Sequence, residues 1–275
     1  MPASTPGLRW RAVDLLDRFG VAAAVAADRP ARVFHCAGAA HVGQSWDQAS
    51  DTLASNVLGT HHLLDALAGS APDARVLIPS SALVYGPSNE ALREDHPLGP
   101  SSPYGLSKLA QEMMGLGVDA GPRVWIARPF THFGPRQDSS FVTSSFARQI
   151  AELEAGHRRP EIAVGNLNTC RDLTDVRDTV RAYAIILDHG VAERPYNVCS
   201  GRAVPVREIL DALVARSRVA VQVVIDPARY RPHDSPIVVG DSGRIRRELG
   251  WQPMLPIERT LDDLLEFWRA RVAGP

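Results

Sequence analysis

Two stretches of sequence, SSALVYG at residues 80–86 and YGLSK at residues 104–108, decide how the rest of the chain is interpreted. The first follows RVLIP, a predicted buried strand that ends in a pair of hydroxyl side chains. In the second, Tyr104 and Lys108 stand four residues apart, a spacing that places both side chains on one face of a helix. Ligands of open α/β sheets bind beyond the carboxyl ends of the strands. The sequence therefore predicts a site formed by a strand end and one helix face.

The residue Lys108 is unusual in this composition. Of the 30 basic residues, 29 are Arg and one is Lys. Arg stays protonated and planar, whereas Lys is a compact donor with an adjustable pKa. A tyrosine beside an ammonium can donate or accept a proton, and the pair can hold the ribose of a nicotinamide cofactor. The alternative for Tyr104 and Lys108 is a partly exposed helix with one aromatic side chain and one solvated charge.

Composition excludes several classes of protein. The net charge is −1 with 22% charged residues, so no bulk field favours nucleic acid or a membrane as partner. Three widely spaced cysteines predict a reducing, cytoplasmic compartment and not a disulfide framework. We find neither a secretory leader nor an apolar stretch of membrane-spanning length. The histidines at 35, 41, 61 and 62 lack the spacing of metal ligands, so we predict no metal site.

The order of predicted elements indicates an α/β fold. Up to residue 130, predicted strands (10–15, 32–36, 75–79, 123–127) alternate with predicted helices (15–27, 47–67, 104–117). Such alternation is typical of a doubly wound, Rossmann-like parallel sheet covered on both faces.

The second half of the sequence is less regular and predicts a smaller mixed α/β domain. We predict helices at 141–154, 174–188 with Thr174 as cap, 206–214, 242–249 and 257–271, strands at 196–199 and 221–225, a turn at 131–136, and loops at 165–172 and 231–234.

Taken in order, these motifs resemble the extended short-chain dehydrogenase/reductase family of nucleotide-sugar epimerases, dehydratases and reductases. The resemblance covers residues 10–271 and is strongest to the branch that reduces GDP-4-keto-6-deoxy-mannose. It implies an NAD(P)-dependent enzyme, a homodimer, and a nucleotide-sugar substrate. It also implies a Rossmann-like domain at 1–130 that takes back 172–199, with a substrate domain at 131–171 and 200–275.

The resemblance assigns the catalytic roles. Ser81, four residues before Tyr85, matches the hydroxyl that bonds the substrate 4-oxygen, although a strand-end hydroxyl can also simply cap backbone. Tyr104 matches the proton donor and Lys108 the residue that tunes it. The 4,6-dehydratases of the family carry a carboxylate at the position of Leu83, so a reductase or epimerase is favoured.

The resemblance also assigns binding residues. The cofactor side comprises Asp14, Cys36, Ala37, Gly38, Asn56, Tyr104, Lys108, Pro129 and His132. The substrate side comprises Ser81, Thr131 (where the family has Asn), Asn166, Arg171, Arg231 and Asp234. The alternative for Asp14 is an ordinary Asp after a strand, and for Asn56 an ordinary polar helix residue. For Cys36 it is a small core residue, and for the arginines it is surface ion pairing.

One expected motif is missing from the sequence. No G-x-x-G-x-x-G or G-x-G-x-x-G occurs before residue 40, where a dinucleotide site needs a Gly-rich turn that opens a helix. An upstream start, a truncated chain and a genuine loss all explain this. We expect weak nicotinamide dinucleotide binding by the chain as written, and the choice between NAD and NADP stays open. The second hypothesis is a non-redox protein on a degenerate epimerase fold: an isomerase, a cyclase or a nucleotide-sugar-binding scaffold.

Overall fold

The computed structural model describes residues 7–117, 121–230 and 236–274. Its strands are β1 (Arg32–Phe34), β2 (Arg75–Pro79), β3 (Arg123–Pro129), β4 (Thr131–Phe133), β5 (Glu161–Val164), β6 (Cys170–Asp175), β7 (Pro195–Val198), β8 (Ala203–Pro205), β9 (Gln222–Ile225) and β10 (Ile237–Val238).

The helices alternate with these strands in the first half and cluster in the second. They are α1 (Arg18–Asp28), α2 (Gln44–Asp47), α3 (Ala49–Leu53), α4 (Gly59–Ser70), α5 (Pro103–Leu116), α6 (Val142–Glu154), α7 (Val176–His189), α8 (Val206–Val214), α9 (Gly243–Leu249) and α10 (Ile257–Val272). A π-helical turn, Ala54–Leu58, joins α3 to α4. Short 3-10 turns lie at Ala82–Val84 and Pro227–Arg229.

A four-stranded parallel sheet in the order β1-β2-β3-β7 organises the first half. Successive side chains of a strand point to opposite faces. On β2, Ile78 packs with α1 and α4, whereas Leu77 faces α7 and the buried Trp251. Both faces are therefore covered, and the predicted α/β class with a parallel sheet is confirmed.

A second hydrophobic core lies outside this sheet. Helices α6, α8 and α10 pack together around Phe146, Leu210 and Leu264, which are nearly or fully buried. Short strands flank it: β6 pairs with β4, β8 and β10, and β5 pairs with β9. After β6 the chain returns to the first sheet, where α7 packs on β2 and β3 and β7 pairs with β3.

Three predicted elements differ in the structure. Residues 10–15 form no strand, and Trp10 is 59% exposed, because no neighbouring strand pairs with them within the described residues. The predicted helix at 47–67 is divided by the π-helical turn, which places the buried Asn56 between the loop after β1 and helix α5. Thr131–Phe133 is a strand and not a turn, because it finds β6 as a partner far away in the sequence.

The start of α7 and the end of the preceding loop also differ from prediction. Strand β6 already begins at Cys170, inside the predicted loop. Thr174 belongs to this strand, and Asp175 caps α7 by accepting from the Arg177 backbone N–H. Asp172, fully buried, accepts from Ser200, Gly201 and Gly240, so its carboxylate joins three segments.

The described part of the chain contains no helix with the length and apolarity needed to cross a membrane.

Candidate active site

The first part of the site is the end of β2. The Ser81 hydroxyl accepts from the Leu83 backbone N–H at 3.1 Å and so caps the short turn that follows the strand. This turn packs against α5, and the Ser81 hydroxyl lies close enough to the Tyr104 phenol to influence its pKa. Gly105 allows this approach, because a side chain there would collide with the Leu83 carbonyl oxygen.

Helix α5 carries Tyr104 on its first turn. The Ser102 hydroxyl caps the helix by accepting from the Gly105 N–H at 3.1 Å, and Pro103 occupies the first helical position; both are preferred there. The Tyr104 backbone N–H donates to Ser45 at 3.2 Å. Desolvation raises the pKa of Tyr104, and the hydrogen bond with Ser81 opposes that rise. The phenol is therefore protonated near neutral pH and available as an acid.

Lys108 lies one turn further along α5 and is only 8% exposed. Its Nζ donates to Gln111 Oε1 at 2.7 Å. Burial lowers the pKa of Lys108 to about 8, with Cys36 and Glu112 opposing the decrease. Because burial disfavours the charged form of an amine, Lys108 titrates close to neutral pH.

Asn56 connects the loop after β1 to α5. Its side chain accepts from the Ala39 N–H at 2.7 Å, donates to the Ala39 carbonyl at 3.1 Å, and donates to Ser107 at 2.8 Å. Gly38 adopts a φ of 139°, and a side chain there would collide with Asn56. Only a glycine therefore lets this backbone lie against the asparagine.

Of the remaining cofactor-side candidates, Cys36 lies near Lys108, and three others make backbone contacts. Burial raises the pKa of Cys36, and Lys108 lowers it, so this thiol is near the amine. Pro129 ends β3, opposite Val198. The His132 ring makes a 3.3 Å contact with the Phe130 carbonyl, and burial lowers its pKa. Asp14 caps a local turn by accepting from Leu16.

Three of the substrate-side candidates lie on or next to the short strands that flank the second core. Thr131 is paired with Leu173 in the sheet. Asn166 accepts from the Asn168 N–H at 2.9 Å, and Arg171 on β6 donates to the Cys170 carbonyl at 2.8 Å. Arg231 and Asp234 lie outside the described residues.

Sequence interpretation missed a set of buried polar residues behind Lys108. Gln111 contacts Lys108, and Thr60 contacts both Gln111 and His35. Glu112 forms a bidentate pair with Arg128, with distances of 2.9 and 2.7 Å. A signal for two of them existed, since Gln111 and Glu112 follow Lys108 by three and four residues and share its helix face. No cluster of potential metal ligands occurs among the described residues.

The comparisons with known proteins agree with this geometry. A family model described as GDP-mannose 4,6 dehydratase matches residues 3–264. The chain belongs to the GDP-mannose 4,6-dehydratase family. The resemblance drawn from the motifs to nucleotide-sugar epimerases, dehydratases and reductases is thereby confirmed.

Relatives of this family with different reactions resemble the chain. A GDP-6-deoxy-D-mannose reductase of Pseudomonas aeruginosa is 39% identical over 88% of this chain and 82% of that protein. A dTDP-glucose 4,6-dehydratase of Streptomyces griseus is 32% identical over 92% of this chain and 75% of that protein. The solved structure of RMD from Pseudomonas aeruginosa complexed with NADPH superposes with a TM-score of 0.89 at 36% identity, covering 98% of this chain and 92% of that one.

The residues around Lys108 fit the ribose side of a nicotinamide dinucleotide. An ammonium has three donors, and Lys108 gives one to Gln111, which leaves two for a ribose diol. The backbone at Gly38 and the hydroxyls of Ser81 and Tyr104 lie around the same strand ends. No Gly-rich turn of the dinucleotide-binding pattern stands before residue 40 in this sequence, so among the described residues the fit concerns the ribose side of the cofactor.

Proposed function

We propose that this chain is an NAD(P)-dependent reductase of a GDP-4-keto-6-deoxy sugar, as the motif resemblance indicated. The observation that carries the proposal is the packing of the first turn of α5, with Tyr104, against the turn after β2 that Ser81 caps. Lys108 lies one helical turn further along α5. The residue before Val84 is Leu83 and not a carboxylate, which removes the acid–base group expected for water elimination. The 39% identical reductase supports the same reaction.

The proposed chemistry needs little from the protein beyond a proton and orientation. A bound nicotinamide would supply hydride to the C4 carbonyl carbon of the sugar. Tyr104 gives its phenolic proton to the carbonyl oxygen as negative charge develops there, and Ser81 orients that oxygen by a hydrogen bond. Lys108, while protonated, makes the phenol a stronger acid and holds the ribose of the cofactor.

We propose that the nucleotide-sugar binds beside the second core. Thr131, Asn166, Arg171, Arg231 and Asp234 form the proposed contacts, because the motifs around them resemble the GDP-sugar branch. Guanidinium groups suit bidentate contacts with a pyrophosphate. Asp14, Cys36, Ala37, Asn56, Pro129 and His132 are proposed on the cofactor side.

We propose two domains, with 1–130 and 172–199 in the Rossmann-like domain and 131–171 and 200–275 in the substrate domain. The pairing of β7 with β3 supports this division. We also propose a homodimer. Helix α5 buries a polar stripe that includes Lys108 and exposes an apolar one, with Leu106 at 51% and Met113 at 66% exposure. An exposed apolar stripe on a long helix favours a partner surface.

The test is reduction of GDP-4-keto-6-deoxy-mannose followed by the loss of NADPH or NADH absorbance. GDP-mannose serves as control substrate because it has no carbonyl at C4. Dinucleotide affinity is measured in parallel by calorimetry, with weak binding expected. Binding of GDP-sugars without oxidation of either dinucleotide would favour the non-redox alternative. The three free thiols are consistent with the cytoplasmic location that we propose.

A further inference from the structure

A buried chain of hydrogen bonds runs from Lys108 into the protein. Lys108 Nζ donates to Gln111 Oε1 at 2.7 Å, Gln111 Nε2 donates to Thr60 Oγ1 at 2.6 Å, and Thr60 Oγ1 contacts His35 Nε2 at 2.8 Å. Gln111 and Thr60 are fully buried and His35 is 4% exposed. The chain links α5, α4 and the end of β1.

The direction of each hydrogen bond is fixed by Thr60. A hydroxyl has one donor and two acceptor positions. Thr60 gives its proton to the Asn56 carbonyl at 2.6 Å, so it must accept from both Gln111 and His35. His35 is therefore the tautomer with the proton on Nε2. Burial, the larger cause, and the charge of Lys108 lower the pKa of His35 to about 4, which keeps the ring neutral.

The same network fixes the orientation of the Gln111 amide. Its NH₂ group donates to Thr60, so its carbonyl oxygen faces the Lys108 ammonium. A flipped amide would place its N–H groups against the Lys108 ammonium. It would also place its carbonyl oxygen against the Thr60 hydroxyl oxygen, whose proton is already given to the Asn56 carbonyl. Both contacts would be repulsive, so the arrangement has one stable form.

We propose that Gln111 is the positioning residue for Lys108, held by Thr60 and His35 so that its amide oxygen fixes the ammonium and leaves two donors for the ligand. The role of Lys108 in turnover rests on the proposed function, but the position of the amine does not. Gln111 acts through Lys108 and needs no contact with substrate.

Several charged or titratable groups lie near Lys108. Cys36 follows β1, and Glu112 lies on α5 and is paired with Arg128 of β3. His35 at the end of β1 is neutral over the useful pH range. Gln111 carries no charge, so its replacement by Met changes one contact of Lys108 without removing a charge.

The composition offers a direct measurement, because Lys108 is the one lysine of the sequence. Protein grown with lysine labelled with ¹³C at Cε gives a single side-chain resonance, whose pH titration reports the Lys108 pKa without any cofactor. In Gln111→Met the ammonium loses its acceptor, and we expect the Lys108 pKa to fall by about one or more. In Gln111→Glu a carboxylate replaces the amide oxygen, and we expect the pKa to rise.

Two further variants separate positioning from general destabilisation. Gln149→Met removes another buried glutamine, bonded to Ala163 on β5, and should leave the Lys108 pKa unchanged. Thr60→Val should lower it less than Gln111→Met and should add nothing in the Gln111→Met background, because Thr60 acts through Gln111.

The proposal is overturned if the Gln111→Met and Gln111→Glu titrations coincide with that of the parent, or if Gln149→Met shifts the resonance equally. If Gln111→Met does not fold, the isosteric Gln111→Glu decides alone: a raised Lys108 pKa supports the proposal and an unchanged one refutes it. In active enzyme the alkaline limb of the kcat profile should move with the measured pKa. If the resonance shifts and that limb does not, Gln111 positions Lys108 as proposed and the catalytic role of Lys108 fails.

Discussion

Replacing Arg128 by Met should destabilise the protein strongly, because it leaves the Glu112 carboxylate buried without its partner. The two side chains are 3% and 1% exposed and are joined by two hydrogen bonds of 2.9 and 2.7 Å. Breaking a buried pair by removing one partner costs about 3–5 kcal/mol. Arg128 also donates to the Tyr85 hydroxyl at 3.0 Å and to the Glu94 carbonyl at 3.3 Å, so we expect the upper part of that range.

The double variant Arg128→Met with Glu112→Leu distinguishes a lost charge pair from lost packing. Apolar replacement of both members of a buried pair is often close to neutral, so the second substitution should restore most of the stability lost in the first. The Arg259–Asp263 pair on α10 is 3.0 Å long and its arginine is exposed, so Arg259→Met should cost only about 0.5 kcal/mol.

The assay is urea unfolding at neutral pH, followed by Trp fluorescence and far-ultraviolet circular dichroism. A lower midpoint at an unchanged slope reports a change in the free energy of unfolding. A loss of about 4 kcal/mol is a large part of the 5–15 kcal/mol typical of a folded domain. The reasoning is refuted if Arg128→Met costs no more than Arg259→Met, or if the double variant is as unstable as Arg128→Met alone.

Three further outcomes are expected. Tyr104→Phe should lower kcat by roughly 100-fold or more with little change in substrate binding. Lys108→Arg should also lose most of its activity, because the shape and the adjustable pKa of the lysine are lost. Full activity of Lys108→Arg would show that the lysine is dispensable. His35 has a pKa of about 4 in the fold against about 6.5 in the unfolded chain, so the unfolded state binds more protons between these two pH values. The free energy of unfolding should therefore fall by up to about 3 kcal/mol as pH decreases from about 6.5 to about 4. His35→Gln should abolish this pH dependence in urea titrations. Arg171→Ala and Arg231→Ala should each weaken GDP-sugar binding by about 1.5–3 kcal/mol in calorimetry, and unchanged affinity in both would show that they do not contact the nucleotide.

Local signals allowed α5, and the helix face that carries Tyr104 and Lys108, to be predicted from the sequence. Ser102 and Pro103 mark the helix start, and the four-residue spacing of Tyr104 and Lys108 needs no long-range information. Strand β2 was equally clear, because VLIP is an apolar run that lies between Arg75 and Ser80. These elements determine where Ser81 and Tyr104 meet.

Elements that depend on distant partners were not predictable in the same way. Strand β4 exists because β6 lies beside it, and nothing within residues 131–133 indicates that partner. The orientation of the Gln111 amide depends on Thr60, 51 residues earlier. Residues 10–15 show the reverse case. They have a strand-like composition, but a strand needs a neighbour for its backbone groups, and they pair with no strand among the described residues.

The π-helical turn between α3 and α4 constrains the evolution of chain length in this region. It lets Asn56 reach Ala39 and Ser107 while Thr60 reaches His35 and Gln111. Losing one residue here would convert the turn to α-helix and rotate Thr60 by about 100° about the axis relative to the residues before it. Substitutions at the half-exposed Leu58 should therefore be tolerated where insertions and deletions are not. In relatives that keep both polar side chains, we expect alignments without gaps from residue 54 to residue 60.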